Sequence, residues 1–180
     1  ENHAAGLVCS STKTFTIFLS NYATITSIET LDWTDNENVI TAIVTGTENI
    51  AGTYEYSLDG IHFQDSNTFS NLTVGTYVVL VRDKNGCGTV GQDVFLLNYP
   101  RFFTPNSDGV NDNWKVKFSQ YEPNIKVEIY DRQGKLLKLL DSTNSWDGMY
   151  NGTLMPSDDY WFVVHRANGK THKGHFAMKR

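Results

Sequence analysis

Ile125-Lys126-Val127-Glu128-Ile129-Tyr130 alternates apolar and polar side chains one by one. A strand sends successive side chains to opposite faces, so this pattern buries one face and wets the other. The signature recurs along the chain. Tyr54 to Leu58 sets Tyr54, Tyr56 and Leu58 on one face, and Thr76 to Arg82 does the same with Tyr77, Val79 and Val81. Thr14 to Leu19, Val39 to Val44, Val90 to Leu97, Trp114 to Phe118 and Asp159 to Arg166 read as further strands. Lys135 to Leu140 comes nearest to helical spacing, and it fits a strand as well.

The punctuation agrees with strands. Asp59-Gly60, Asn85-Gly86, Asp108-Gly109, Asp147-Gly148, Asn151-Gly152 and Asn168-Gly169 supply turn dipeptides that tolerate positive φ. Asn168-Gly169 reads as a two-residue hairpin loop, a register that sets His165 opposite His172 and turns His175 to the other face. Short strands at regular intervals with turns between them predict an all-β fold of two immunoglobulin-like antiparallel β-sandwiches in tandem. Pro100 breaks a ladder after Asn98-Tyr99, which divides the chain into 1–98 and 99–180. So short a join predicts semi-rigid packing of the two domains.

Composition narrows the function classes. Four Trp, nine Tyr and ten Phe in 180 residues can fill a core, which argues against wholesale disorder. Fifteen Lys and Arg stand against twenty Asp and Glu with no basic run, so a nucleic-acid partner is not expected. No stretch is long and apolar enough for a transmembrane segment, and the fragment alone is expected to be monomeric.

The chain begins at Glu1 without a leader, which reads as an excised or mature piece. Gly6-Leu7-Val8-Cys9 has the outline of a lipoprotein box but lacks the apolar region before it. Cys9 and Cys87 are either a disulfide closing a long loop or two separate thiols; the turn setting Asn85-Gly86-Cys87-Gly88 favours the bridge.

Phe102-Phe103-Thr104-Pro105-Asn106-Ser107-Asp108-Gly109-Val110-Asn111-Asp112-Asn113-Trp114 is the least generic stretch. Asn106, Asp108 and Asp112 resemble the second half of an oxygen-rich calcium loop, with Gly109 at the tight turn, although the late bidentate Glu is missing. The other reading is a long turn in which Asn and Asp satisfy backbone donors.

This segment resembles the opening of the type B C-terminal sorting domain of the type IX secretion system, also called the gliding-motility-associated C-terminal domain. Further motifs follow in order. Val127 to Leu137 looks like the family's strand–turn–strand element, and Ser145-Trp146-Asp147-Gly148 with Tyr150-Asn151-Gly152 like its Trp-Asp-Gly turn. Met155-Pro156-Ser157-Asp158-Asp159-Tyr160-Trp161-Phe162 is similar to its Pro-x-x-x-Tyr-Trp run, and Lys173-Gly174-His175-Phe176 with Lys179-Arg180 to its closing strand. Ser107 departs from the pattern, where the family often has Gly.

The resemblance implies an export address and surface-retention module rather than an enzyme. It implies outer-membrane translocon and shuttle or anchoring partners, and a location at the surface of a Gram-negative cell. Residues it puts forward for recognition are Phe103, Thr104, Pro105, Asn106, Asp108, Gly109, Asn111, Asp112, Trp146, Asp147, Gly148, Lys173, Gly174, His175, Phe176, Lys179 and Arg180. An exposed final strand is expected to offer its edge for pairing.

Residues 53–98 resemble the immunoglobulin-like repeats of surface adhesins, while 1–52 match only by pattern; the first domain is expected to be a stalk or spacer with Trp33 as a candidate core residue. The rival function is a carbohydrate-binding or adhesive module, which an exposed line of Trp or Tyr on one sheet would favour. No nucleophile–base motif, zinc spacing or phosphate-cradling Gly loop is present.

Overall fold

The computed structural model describes residues 11–15, 22–45, 53–86 and 88–180. Cys9, Cys87 and most of the Thr14 to Leu19 run lie outside the described residues. In chain order the strands are β1 (Thr24–Leu31), β2 (Asn38–Thr45), β3 (Tyr54–Ser57), β4 (Thr68–Leu72), β5 (Gly75–Asp83) and β6 (Thr89–Leu96). After them come β7 (Phe102–Phe103), β8 (Lys126–Tyr130), β9 (Leu136–Leu140), β10 (Met149–Tyr150), β11 (Thr153–Leu154), β12 (Asp159–His165) and β13 (Thr171–Met178). The only helical turn among the described residues is a 3-10 turn at Ser119–Tyr121. The fold is all-β, built from immunoglobulin-like sandwich units.

Two cores organise it. Sheets β1-β2-β4 and β3-β5-β6 enclose Ile40, Ala42, Val79, Val81 and Leu96, with Tyr77 packed beside them. The second core lies against the five-stranded sheet β7-β13-β12-β8-β9 and holds Phe103, Trp114, Ile129, Trp146, Phe162 and Phe176. Leu96 belongs to the first core and Leu97 to the second, so the handover takes one residue. Lys135 to Leu140 resolves as strand β9, because its apolar residues pair with β8 across the tight Asp131–Lys135 turn.

Four expectations are corrected. Trp114 to Phe118 forms no strand: it makes only the bridges Trp114↔Trp146 and Asn98↔Lys117, and Phe118 then turns away at φ 64°. The final strand is not a free edge. β13 pairs with β12 on one side and with β7, in parallel, at Ala177 and Met178 on the other.

The last hairpin has a three-residue loop. Arg166 N–H donates to the Lys170 carbonyl at 2.9 Å and Gly169 N–H to that of Arg166 at 3.0 Å, leaving Ala167-Asn168-Gly169 in the loop with Gly169 at φ 80°. The pairs are therefore Val164↔His172 and His165↔Thr171. A one-residue slip moves side chains to the other face. His172 accordingly lies inward beside Phe162, while His165 lies outward beside Glu128.

The β1–β2 turn reaches across to the second unit. Buried Asn38 ties this turn together: its side-chain oxygen accepts from Thr34 N–H at 3.1 Å, and its amide donates to the carbonyls of Thr34 at 3.0 Å and Leu72 at 2.8 Å. Trp33 is thereby carried out of its own unit, which corrects its expected place in the first core. Its ring stacks on His172 at 4.1 Å, and its backbone N–H donates to the Leu97 carbonyl at 3.0 Å. Beside it, Arg166 bonds Asp32 at 2.6 Å and Glu122 at 2.8 Å, all three side chains being nearly buried. No described helix is long and apolar enough to cross a membrane.

Candidate recognition site

The loop from Thr104 to Asn113 is held by its own side chains. Asp112 accepts from the N–H groups of Asn106 at 3.0 Å, Ser107 at 2.6 Å and Gly109 at 2.7 Å. Asp108 accepts from the Asn106 amide at 2.8 Å and from Val110 N–H at 2.7 Å. Those two bonds, the amide first, hold the Asp108 carboxyl below the usual carboxylate range. All three residues expected as calcium ligands thus direct oxygens to donors inside the loop. Among the described residues no group of three or more His, Cys, Asp or Glu is placed to hold a metal ion. Ser107 at φ 65° occupies the left-handed region, the reason glycine suits that position.

Two tryptophans anchor the loop ends. Trp114 and Trp146 exchange backbone hydrogen bonds at 2.8 and 2.9 Å and are fully buried. Each indole N–H finds a carbonyl at 2.9 Å, Trp114 that of Pro100 and Trp146 that of Met149. Asp147 accepts from Met149 N–H at 3.1 Å, which tightens the turn. Gly148 sits there at φ 81°, and a Cβ would lie 2.6 Å from Met178 Sδ and 3.3 Å from Pro105 Cγ. Only glycine lets this turn rest on the first loop. Tyr160 completes the wall: its hydroxyl donates to the Pro156 carbonyl at 2.7 Å, and burial, chiefly, pushes its pKa up to about 12.

The two motifs face each other across a cleft of about 690 Å³. Pro105, Ser107, Gly109 and Asp112 line one wall, and Asp147, Met149, Gly152 and Leu154 the other. Met149 and Leu154 are exposed large apolar side chains in its lining. Sequence reading missed these rim residues, since nothing local distinguishes them from other turn residues.

Residues 97–178 match the family model of the CHU_C type IX secretion signal domain. Nearly the whole second unit is thus similar to a type IX secretion signal domain. No curated protein matches the chain. Among solved structures, dimeric latent PorU from Porphyromonas gingivalis is similar over 89% of this chain and 20% of its own, at 15% identity and TM-score 0.29. The outer capsid protein Hoc of bacteriophage RB49 is similar over 87% of this chain and 59% of its own, at 18% identity and TM-score 0.29. Tp47, a lipoprotein of Treponema pallidum, is similar over 86% and 50%, at 10% identity and TM-score 0.29. The chain therefore spans a fifth of the PorU chain and about half to three fifths of the other two.

Within the signal domain the expected recognition residues separate into three groups. Phe103, Trp146 and Phe176 are fully buried, and Gly148 and Gly174 are wedged against neighbours. Thr104, Pro105, Asn106, Asp108, Gly109, Asn111, Asp112 and Asp147 gather on the loop and turn around the cleft. Lys173, His175, Lys179 and Arg180 lie apart, along β13 and its end, where Arg180 donates to the Met155 carbonyl and Lys179 Nζ lies 5.2 Å from the Phe102 ring centroid.

Proposed function

We propose that this chain directs a larger cell-surface protein through the type IX secretion system across the outer membrane and retains it outside. The match over 97–178 carries the reading. A signal domain of this kind marks its chain for export to the cell surface or extracellular space and for contact with the secretion machinery. The specific partners we propose are the outer-membrane translocon and its shuttle or anchoring proteins, and the surface offered to them is the cleft between the Thr104–Asn113 loop and the β10–β11 hairpin. The buried Phe103, Trp146 and Phe176 support that surface from behind. The role is an address, not catalysis. Clustered carboxylates at 108 and 112 engaged by loop donors support this. We further propose that 1–98 folds as a separate immunoglobulin-like spacer before the signal.

The test fuses 99–180, and separately 1–180, to an unrelated periplasmic cargo in a host with the system intact. Surface display of either fusion is expected. Cargo held in the periplasm in both cases would sink the reading. Deleting 173–180 is a poor test, because it removes most of a strand paired on both sides and so unfolds the sheet.

A further inference from the structure

The face of the five-stranded sheet that points away from the core carries rings in register. Trp161 on β12 lies directly opposite Tyr130 on β8 and His175 on β13. Three rings thus stand abreast on adjacent strands, spanning two strand spacings or roughly 10 Å. Trp161 is 44% exposed, unlike the fully buried Trp114 and Trp146, and its ring centroid lies 6.4 Å from that of His175. The next row of the same face holds the exposed Leu139 with Glu128, Val163 and Lys173, and the one beyond it Lys126, His165 and Thr171. Phe102, 45% exposed, pairs beyond Ala177 with Lys179 over its ring.

We propose that this face is a platform for an anionic polysaccharide. A pyranose presents polarised C–H groups on one face and hydroxyls around its rim. The electron-rich face of an indole or phenol meets the first, and the polar groups between the rings meet the second. The charge on the face selects an acidic polymer. Lys126, Lys173 and Lys179 are exposed, whereas Glu128 is already engaged by the Tyr130 hydroxyl at 2.8 Å and by His165 at 3.2 Å. Asp159 is the one other carboxylate on these rows. Residues 99–180 hold 12 Lys and Arg against 9 Asp and Glu, while 1–98 hold 3 against 11, so the cationic end of the molecule is the end with the rings. A protein partner would call for a desolvated pocket around an anchor side chain, and the rings here lie on an open sheet.

Affinity electrophoresis of the 180-residue chain tests this, in gels carrying carboxymethyl cellulose or its uncharged counterpart hydroxyethyl cellulose. Stronger retardation by the charged polymer is expected, decreasing with added salt. Trp161→Ala weakens it by at least roughly tenfold and Trp161→Tyr restores much of it. Lys126→Ala with Lys173→Ala removes the preference for the charged polymer. The proposal is overturned by no retardation, or by full retardation of a folded Trp161→Ala chain with unchanged circular dichroism. Equal binding of a single-stranded oligonucleotide, or Trp161-dependent self-association in sedimentation, also overturns it by naming another occupant.

Discussion

Ser107 and Gly148 show how single backbone positions shape the candidate site. Ser107 holds φ 65° in the loop, at a Cβ cost of roughly 1 kcal/mol that glycine avoids. Ser107→Gly is therefore expected to raise stability by up to about 1 kcal/mol, read as the urea midpoint at constant m-value. Gly148 combines positive φ with a wall of Met178 and Pro105, whereas Gly152, at φ 77°, has nothing within 4 Å of its would-be Cβ. Gly148→Ala should then cost about 3 kcal/mol or more and Gly152→Ala only about 1. Equal costs would show that the turn does not rest on the first loop as described.

At the scale of the element, β13 is packed most tightly at one position. Gly174 faces Phe162 so closely that a Cβ would lie 2.7 Å from the ring and 2.9 Å from the Tyr99 hydroxyl. Gly174→Ala is expected to destabilise by about 1–3 kcal/mol through overpacking, measured by thermal unfolding. The Thr104–Asn113 loop is the other element with a clear outcome. Its carboxylates already accept backbone bonds, so a calcium titration should give no heat and no shift in melting temperature. Asp112→Ala, which strips three N–H groups of their acceptor, should lower that temperature.

Across the whole molecule, the contact between the units rests on charge and stacking. Arg166 satisfies two nearly buried carboxylates, Asp32 and Glu122, and burial still pushes the Asp32 carboxyl up against the lowering effect of Arg166. Arg166→Ala leaves both acids unpaired and should cost roughly 3 kcal/mol or more, with looser coupling of the units in small-angle scattering. His172, stacked on Trp33 and facing Tyr99 and Phe162, has its pKa lowered by burial first and by Arg101 second. The unfolded chain then binds the proton more readily than the folded one. Stability contributed by neutral His172 is whole above about pH 6.5 and falls as pH drops from there toward the lowered folded value. His172→Phe keeps a ring against Trp33 and should flatten that acid-side slope in urea midpoints.

Much of this was legible in the residues themselves. Alternation in Ile125 to Tyr130 and Thr76 to Arg82 set the strands, because side-chain period follows from local backbone geometry. The ordered motifs from Phe102 to Arg180 marked the signal domain, since each is a local turn or strand with its own chemistry. What stayed hidden depends on contacts between distant residues. The hairpin at Asn168-Gly169 could close with two or three residues, and only the packing of His172 against Phe162 and Trp33 decided which. Trp33 looked like core from its type, yet a turn tied by Asn38 delivers it to the other unit. Trp114, Trp146 and Trp161 are alike in sequence, but two are enclosed and one faces solvent. Residue pattern determines which faces are apolar; only the assembled sheets decide what each face meets, because burial is a property of neighbours that the chain brings together from afar.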